Sequence, residues 1–203
     1  MKKHRMVMTP ANAEKTRLGL KTQTRRVIPD LPPDWIEGRR PEQWDQYDYS
    51  FFTMSDPVGT IGMCWRPRYI PGDIVGIAEA HWRFGAFYGS GNRRFKTMDD
   101  EMHPVKFLSP SEPPPTKDTV YYHKRPSLFL PYDMCRTYVE IEDVRAERLQ
   151  KISEEDAIAE GIQVFEYTAV DAFRILWDSI NTKRGYPWKS NPFVWKYLYK
   201  VEA

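Results

Sequence analysis

The stretch FVWKYLYKV, residues 193 to 201, constrains the fold more than any other part of this chain. Phe193, Trp195, Tyr197 and Tyr199 recur at every second position, the period at which a β-strand places side chains on one face. Such a strand belongs in a sheet with one buried side. TYVEIEDV repeats the pattern, with Thr137, Val139 and Ile141 on a common face. In YIPGDIVGIAEAHW (69–82) a Pro-Gly-Asp turn leads into an apolar strand from Ile74 to Ala78, and a short strand is expected at Val120 to His123.

Helices are fewer. Thr9 offers a hydroxyl cap and Pro10 a first-turn residue for a helix running to about Leu18, which Gly19 ends as a left-handed cap. Ser153 followed three residues later by Asp156 is a capping-box pattern, with Gly161 as the stop. Residues 169–180 carry Val170, Phe173, Leu176, Trp177 and Ile180 at helical spacing. Short strands, few helices and no strand–helix alternation predict an α+β chain that is mainly β: a small β-barrel with flanking short helices.

A length of 203 residues suits one domain, 1–203. Two segments read as irregular insertions in it, 30–66 and 85–125. The first is rich in proline and also holds Trp35, Trp44, Tyr47, Tyr49, Phe51 and Phe52, rings that call for a packing partner. The second contains YGSGNRR and SPSEPPPTKD, both loop compositions. Cys64 and Cys135 are far apart and form no C-x-x-C pair, the pattern of free thiols in a reducing compartment. No apolar run approaches the ~18 residues of a membrane span, and no signal-peptide core follows the basic start. The expectation is a cytoplasmic protein without membrane association.

Charge is distributed unevenly. Residues 1–26 hold eight Lys/Arg against the single acid Glu14, a net +7, whereas the rest of the chain carries −5. That asymmetry points to an anionic partner, nucleic acid above all. Its densest part is LGLKTQTRRVIP (18–29), where Leu18, Leu20, Val27 and Ile28 enclose Lys21, Arg25 and Arg26. Lys21 and Thr24 share a face on a helical turn and oppose each other on a regular strand, so cooperation between them requires a helical, bent or bulged backbone.

These residue types suit amide hydrolysis, which needs a nucleophile, a base and a group that steadies the developing oxyanion. A threonine hydroxyl is inert at neutral pH without a base. Lysine serves as that base when burial or nearby cations lower its pKa, and Arg25 and Arg26 push in that direction. Arg26 has the donor fork to hold a carbonyl or phosphate oxygen. The same residues also suit an RNA-binding surface with no catalysis. Arg93, Arg94 and Lys96 beside Phe95 suit either phosphate contact with base stacking or an exposed loop. His4, His81, His103 and His123 are dispersed, and neither H-x-x-x-H nor C-x-x-C spacing occurs. GSGNRR lacks the lysine and Ser/Thr of a phosphate loop. No metal and no cofactor are expected.

GLKTQTRR resembles the G-x-K-x-x-T-x-R motif of ASCH domains, PUA-like β-barrels associated with RNA. PGD (71–73), LQKISEEDAIAEGI and WKSNPFVWKYLYKV resemble the turn, short helix and closing strand of those domains, in the same order. KTQTRRVI, WDSIN and NPFVW bring the chain nearest to the larger phage and prophage ASCH-type proteins. The resemblance implies a PUA-like barrel and one of two activities: removal of the acetyl group from N4-acetylcytidine, or RNA cleavage. In the amidohydrolases the motif lysine, the motif threonine and a helix glutamate form the catalytic set. Here these correspond to Lys21, Thr24 and Glu160. Glu79 matches an acid frequent in the phage-type members, a second candidate for the acidic role. Gly19, Arg25, Arg26 and Glu79 are the expected substrate-binding residues. RNA or a modified nucleoside is the implied partner, and the insertions offer room for a protein partner. A non-catalytic RNA-binding module and a ribonuclease are the competing readings.

Overall fold

The computed structural model describes residues 3–29, 42–45, 48–51, 63–88, 94–99, 101–107, 122–163 and 168–202. In chain order its elements are β1 (His4–Val7), α1 (Pro10–Arg17), β2 (Gln23–Val27), β3 (Glu42–Asp45), β4 (Asp48–Phe51), β5 (Met63–Trp65), β6 (Ile74–Ala78) and β7 (His81–Tyr88). There follow β8 (Arg94–Thr97), β9 (Lys106–Phe107), β10 (Tyr122–Arg125), β11 (Tyr138–Arg148), α2 (Glu154–Ala159), α3 (Ala169–Asn181) and β12 (Phe193–Val201). The architecture is mixed α+β, mainly strands. Among the described residues no pairing closes a sheet into a barrel. No helix among them is long and apolar enough to cross a membrane.

The chain forms two compact units, one of residues 1–19, 74–139 and 201–203, the other of residues 20–73 and 140–200. In the first unit β1 runs parallel beside β6, His4 opposite Val75 and Val7 opposite Ala78. β6 is apolar along its length and buried from Val75 onward. Such an unbroken apolar run marks a strand covered on both faces. The Ile77 amide donates to the Thr137 carbonyl just before β11. A separate antiparallel sheet has the order β10-β7-β8, with β9 also paired to β7. Ala78, Leu130 and Cys135 form a core with Val105, Phe107 and Tyr138 packed on it.

The Thr9 hydroxyl accepts from the Asn12 amide at 3.3 Å, so the cap of α1 forms as its sequence predicts. Gly19 follows at φ +71°, a conformation that costs a side-chain-bearing residue about 1–2 kcal/mol.

In the second unit the order is β11-β12-β2. β12 and β2 run antiparallel, with Trp195 opposite Arg26, Lys196 opposite Arg25 and Tyr197 opposite Thr24. Trp195, Tyr197 and Tyr199 are buried, as their period-two spacing demands. Gly72, at φ +88°, makes the turn before β6, and its amide donates to the Ile141 carbonyl. Leu149, Ile152, Ala157, Ala169, Phe173, Trp177 and Val194 form one core, with Val27 and Trp188 packed against it.

Helix α3 turns Ala169, Phe173, Trp177 and Asn181 inward, whereas Ile180 is exposed. The 3.6-residue period favours Asn181 over Ile180 at that turn, and the Asn181 amide is satisfied by the Trp177 carbonyl at 3.2 Å.

The described parts of the two segments expected to be irregular carry regular pairing. β3, β4 and β5 form a three-stranded antiparallel sheet, and β8, β9 and β10 pair with β7. Strands of two to four residues are too short for alternation to show in the sequence. Trp35, Arg93, Val120 and the SPSEPPPTKD stretch lie outside the described residues.

Candidate active site

Strand β2 presents two chemically different faces. Its odd positions meet α2: the Gln23 amide donates to the Asp156 carbonyl at 2.6 Å, and Arg25 reaches the Asp156 carboxylate at 2.6 Å. Lys196, beside Arg25 on β12, donates to both Asp156 oxygens at 2.6 and 2.8 Å. Thr24 and Arg26 therefore point to the other face, which they share with Tyr197 and Trp195.

Lys21 lies just before β2, outside the regular strand. Its side chain is 3% exposed and its ammonium donates to the Glu160 carbonyl at 2.8 Å and to Oε2 of the same residue at 2.6 Å. Glu160 caps the C-terminus of α2, and Gly161 behind it takes φ +84°, so the chain turns there with the glutamate held inward. Ser153 begins the same helix, its hydroxyl accepting from the Asp156 amide at 3.1 Å. The Ser153 hydroxyl thus caps the short helix that carries Asp156 and ends on Glu160, while the Asp156 carboxylate is turned to Arg25 and Lys196.

Arg25 is fully buried at its side chain and committed to three carboxylates. Nε donates to Glu147 at 2.8 Å, one terminal nitrogen to Glu160 Oε1 at 3.2 Å and the other to Asp156 Oδ2 at 2.6 Å. Lys21, Arg25 and Lys196 are balanced by Glu147, Asp156 and Glu160, three cations against three anions. The structure places Arg25, expected to bind substrate, against these three carboxylates, Glu160 among them.

Burial is the main influence on Lys21 and lowers its pKa below that of an ordinary lysine. The Glu160 carboxylate opposes the shift, and the charges of Arg26 and Arg25 add to it. Burial also works against the ionised Asp156, yet Lys196 and Arg25 hold that carboxyl below the usual range. For Arg25 the three carboxylates outweigh burial and raise its pKa. Tyr197, opposite Thr24, is buried and accepts from the Arg68 amide at 3.2 Å, while Tyr69 meets its ring edge-on at 5.3 Å. Thr24 is buried, and its hydroxyl makes no hydrogen bond among the described residues.

The structure thus joins Lys21, Arg25 and Glu160 by direct contact. It places Thr24 on the opposite strand face from Arg25, with no hydrogen bond to Lys21 or Glu160. Arg26 is half-buried and near enough to influence Lys21. Gly19 and Glu79 belong to the other unit. There the Glu79 carboxylate is buried and gripped by Arg136 at 2.7 and 3.0 Å. Sequence reasoning missed Glu147, Asp156 and Lys196 as members of the ionic cluster. Asp156 reads locally as a cap residue, and the strand register that aligns Lys196 with Arg25 is a long-range property.

No family model, no curated protein and no solved structure matches this chain.

Proposed function

We propose that the second unit carries a hydrolase site for an acylated nucleobase amide, of the N4-acetylcytidine type, on an enlarged ASCH-type, PUA-like scaffold. The observation that carries the reading is the buried Lys21 ammonium tied to Glu160, with Arg25 locking the glutamate from behind. A lysine in that setting loses its proton more readily than one in water, which is what a general base requires. The scaffold reading is supported by β2 and β12, the motif strand and the closing strand, lying side by side. It is supported as well by α2 ending on Glu160-Gly161.

Lys21, unprotonated, takes the proton of the attacking oxygen as that oxygen adds to the acyl carbon. The tetrahedral intermediate collapses by breaking the C–N bond. The proton passes from Lys21 to the departing N4 amine, and a carboxylic acid and cytidine leave. Arg26 supplies donors and positive charge for the oxyanion. Glu160 and Arg25 are positioning residues. The attacking oxygen is that of Thr24, through an acyl-enzyme that water then clears, or that of water itself.

Charge compensation sets this reading above a surface that only grips RNA. Backbone binding uses cations that are free to meet phosphates. Lys21, Arg25 and Lys196 are already paired with acids. The free Cys135 thiol is consistent with a reducing cytoplasm.

The test is incubation of the full chain with N4-acetylcytidine, following cytidine and acetate by chromatography. Lys21→Ala is expected to abolish turnover while Lys196→Ala retains most of it. Turnover that survives Lys21→Ala contradicts the assignment. Thr24→Ala separates the two oxygen sources: loss of turnover assigns the hydroxyl, retention assigns water.

A further inference from the structure

We propose that Asp156 is a further positioning residue of the Lys21 site: by holding Arg25, its carboxylate decides how much of the Glu160 charge is left for Lys21. The inference rests on the reading of Lys21 as the base. It adds a residue that makes no hydrogen bond to Lys21 among the described residues and acts through two others.

Glu160 is shared between two cations. Its Oε2 accepts from Lys21 at 2.6 Å and its Oε1 from Arg25 at 3.2 Å. Charge-assisted bonds of this kind usually run at about 2.7–2.9 Å, so the Arg25 contact is the slack one. The rest of the same guanidinium is held more closely, Nε by Glu147 at 2.8 Å and the second terminal nitrogen by Asp156 at 2.6 Å and Glu147 at 2.7 Å. The tighter pull on Arg25 therefore comes from Glu147 and Asp156, and Glu160 keeps its shorter bond for Lys21.

Two features single out Asp156. Its backbone is braced: the amide donates to the Ser153 hydroxyl at 3.1 Å, and the carbonyl accepts from the Gln23 side chain at 2.6 Å and from the Glu160 amide at 2.9 Å. The carboxylate that holds Arg25 is thus built on the same turn of helix as Glu160. It is also contested, because Lys196 donates to both of its oxygens and forms no other ion pair among the described residues. The charged groups that meet in these pairs are Lys21 and Arg25 at β2, Glu147 on β11, Asp156 and Glu160 on α2, and Lys196 on β12, with Arg26 near enough to act on Lys21.

The sign of the coupling follows. Without the Asp156 charge, Arg25 has one anion fewer and leans on Glu160. Less of the glutamate charge then remains for the Lys21 ammonium, and Lys21 gives up its proton at lower pH.

The experiment follows Lys21 in the full chain by NMR titration of its side-chain resonance in isotope-labelled lysine, assigned by its loss in Lys21→Arg, beside the pH profile of kcat/KM for N4-acetylcytidine. Asp156→Asn is expected to move the Lys21 titration down by about 1 unit, the lower end of what an adjacent charge exerts, and to move the rising limb of the profile with it. A merely structural lesion lowers the rate without moving the limb. Asp156→Asn/Lys196→Met avoids a stranded Lys196 should the single variant fail to fold, and is expected to keep most of the shift because Arg25 still lacks its partner. Asp156→Glu keeps the charge and is expected to titrate near the parent. An unmoved Lys21 titration in the folded asparagine variants overturns the proposal, as does a double variant that returns to the parent value. Failure of the parent to turn over N4-acetylcytidine contradicts the hydrolase reading alone, since the titration needs no substrate.

Discussion

Replacing Glu160 by glutamine removes one charge and almost no volume, so its effect isolates the ionic cluster. The carboxylate lies 2.6 Å from the Lys21 ammonium and 3.2 Å from an Arg25 nitrogen, with Lys21 and Glu160 side chains only 3% and 4% exposed. At an effective dielectric of ~20 these two attractions amount to about 6 and 5 kcal/mol. Desolvation of the three groups offsets much of that, but the variant keeps the desolvation and loses the attraction. Stranding buried partners in this way costs about 3–5 kcal/mol. For a chain of this length that corresponds to a fall in melting temperature of about 10 °C.

A second signature follows from protonation. Glu160 is the influence that raises the Lys21 pKa, so its removal moves Lys21 further below the ordinary value. The unfolded chain then binds a proton that the folded chain does not, and stability of the variant rises with pH up to the unfolded lysine pKa of about 10.4. Urea titrations followed by circular dichroism at several pH values measure both effects. Lys21→Met in the same background removes one stranded cation and should recover part of the loss. A cost below about 1 kcal/mol, the size of an exposed pair, refutes the burial argument. So does a double variant no more stable than the single one.

Three further outcomes are expected. Gly161→Ala forces a side chain onto φ +84° and should cost about 1–2 kcal/mol in chemical denaturation, while also weakening any Lys21-dependent turnover because Glu160 shifts with the cap. The Cys135 thiol is buried and burial pushes its pKa up to about 11, so in a Cys64→Ser background it should resist iodoacetamide at pH ~8 until the chain is unfolded. His81 is buried, and desolvation lowers its pKa, helped by Arg83 and Arg125 and opposed by the Glu79 carbonyl. The unfolded chain therefore takes up this proton first, and stability should fall as pH drops below about 6.5, a fall that His81→Phe reduces.

Much of the local structure was legible in residue order. Thr9 and Ser153 announce their helices through side-chain caps that depend on neighbours three residues away. Tyr197 and Tyr199 announce β12 through a period of two. What local reading misses is register. Nothing near Lys196 indicates that it stands beside Arg25, because that alignment comes from β12 meeting β2 across most of the chain. The basic run at 21–26 looks like an anion grip for the same reason: the acids that neutralise it, Glu147, Asp156 and Glu160, lie more than a hundred residues away. Strands β8 and β9 escaped because they are too short to show a period, whereas the short strand expected at Val120 to His123 overlaps β10.

The central claim is that Lys21 is a base of lowered pKa in a hydrolytic site. The measurement that tests it most directly is the pH dependence of kcat/KM for N4-acetylcytidine hydrolysis, parent against Lys21→Arg. The account predicts a rate that rises with pH to an apparent pKa below the lysine value of 10.5, and no rate at any pH for the arginine variant, which keeps its proton. No turnover by the parent at any pH, or an arginine variant that hydrolyses the substrate with the same profile, contradicts it.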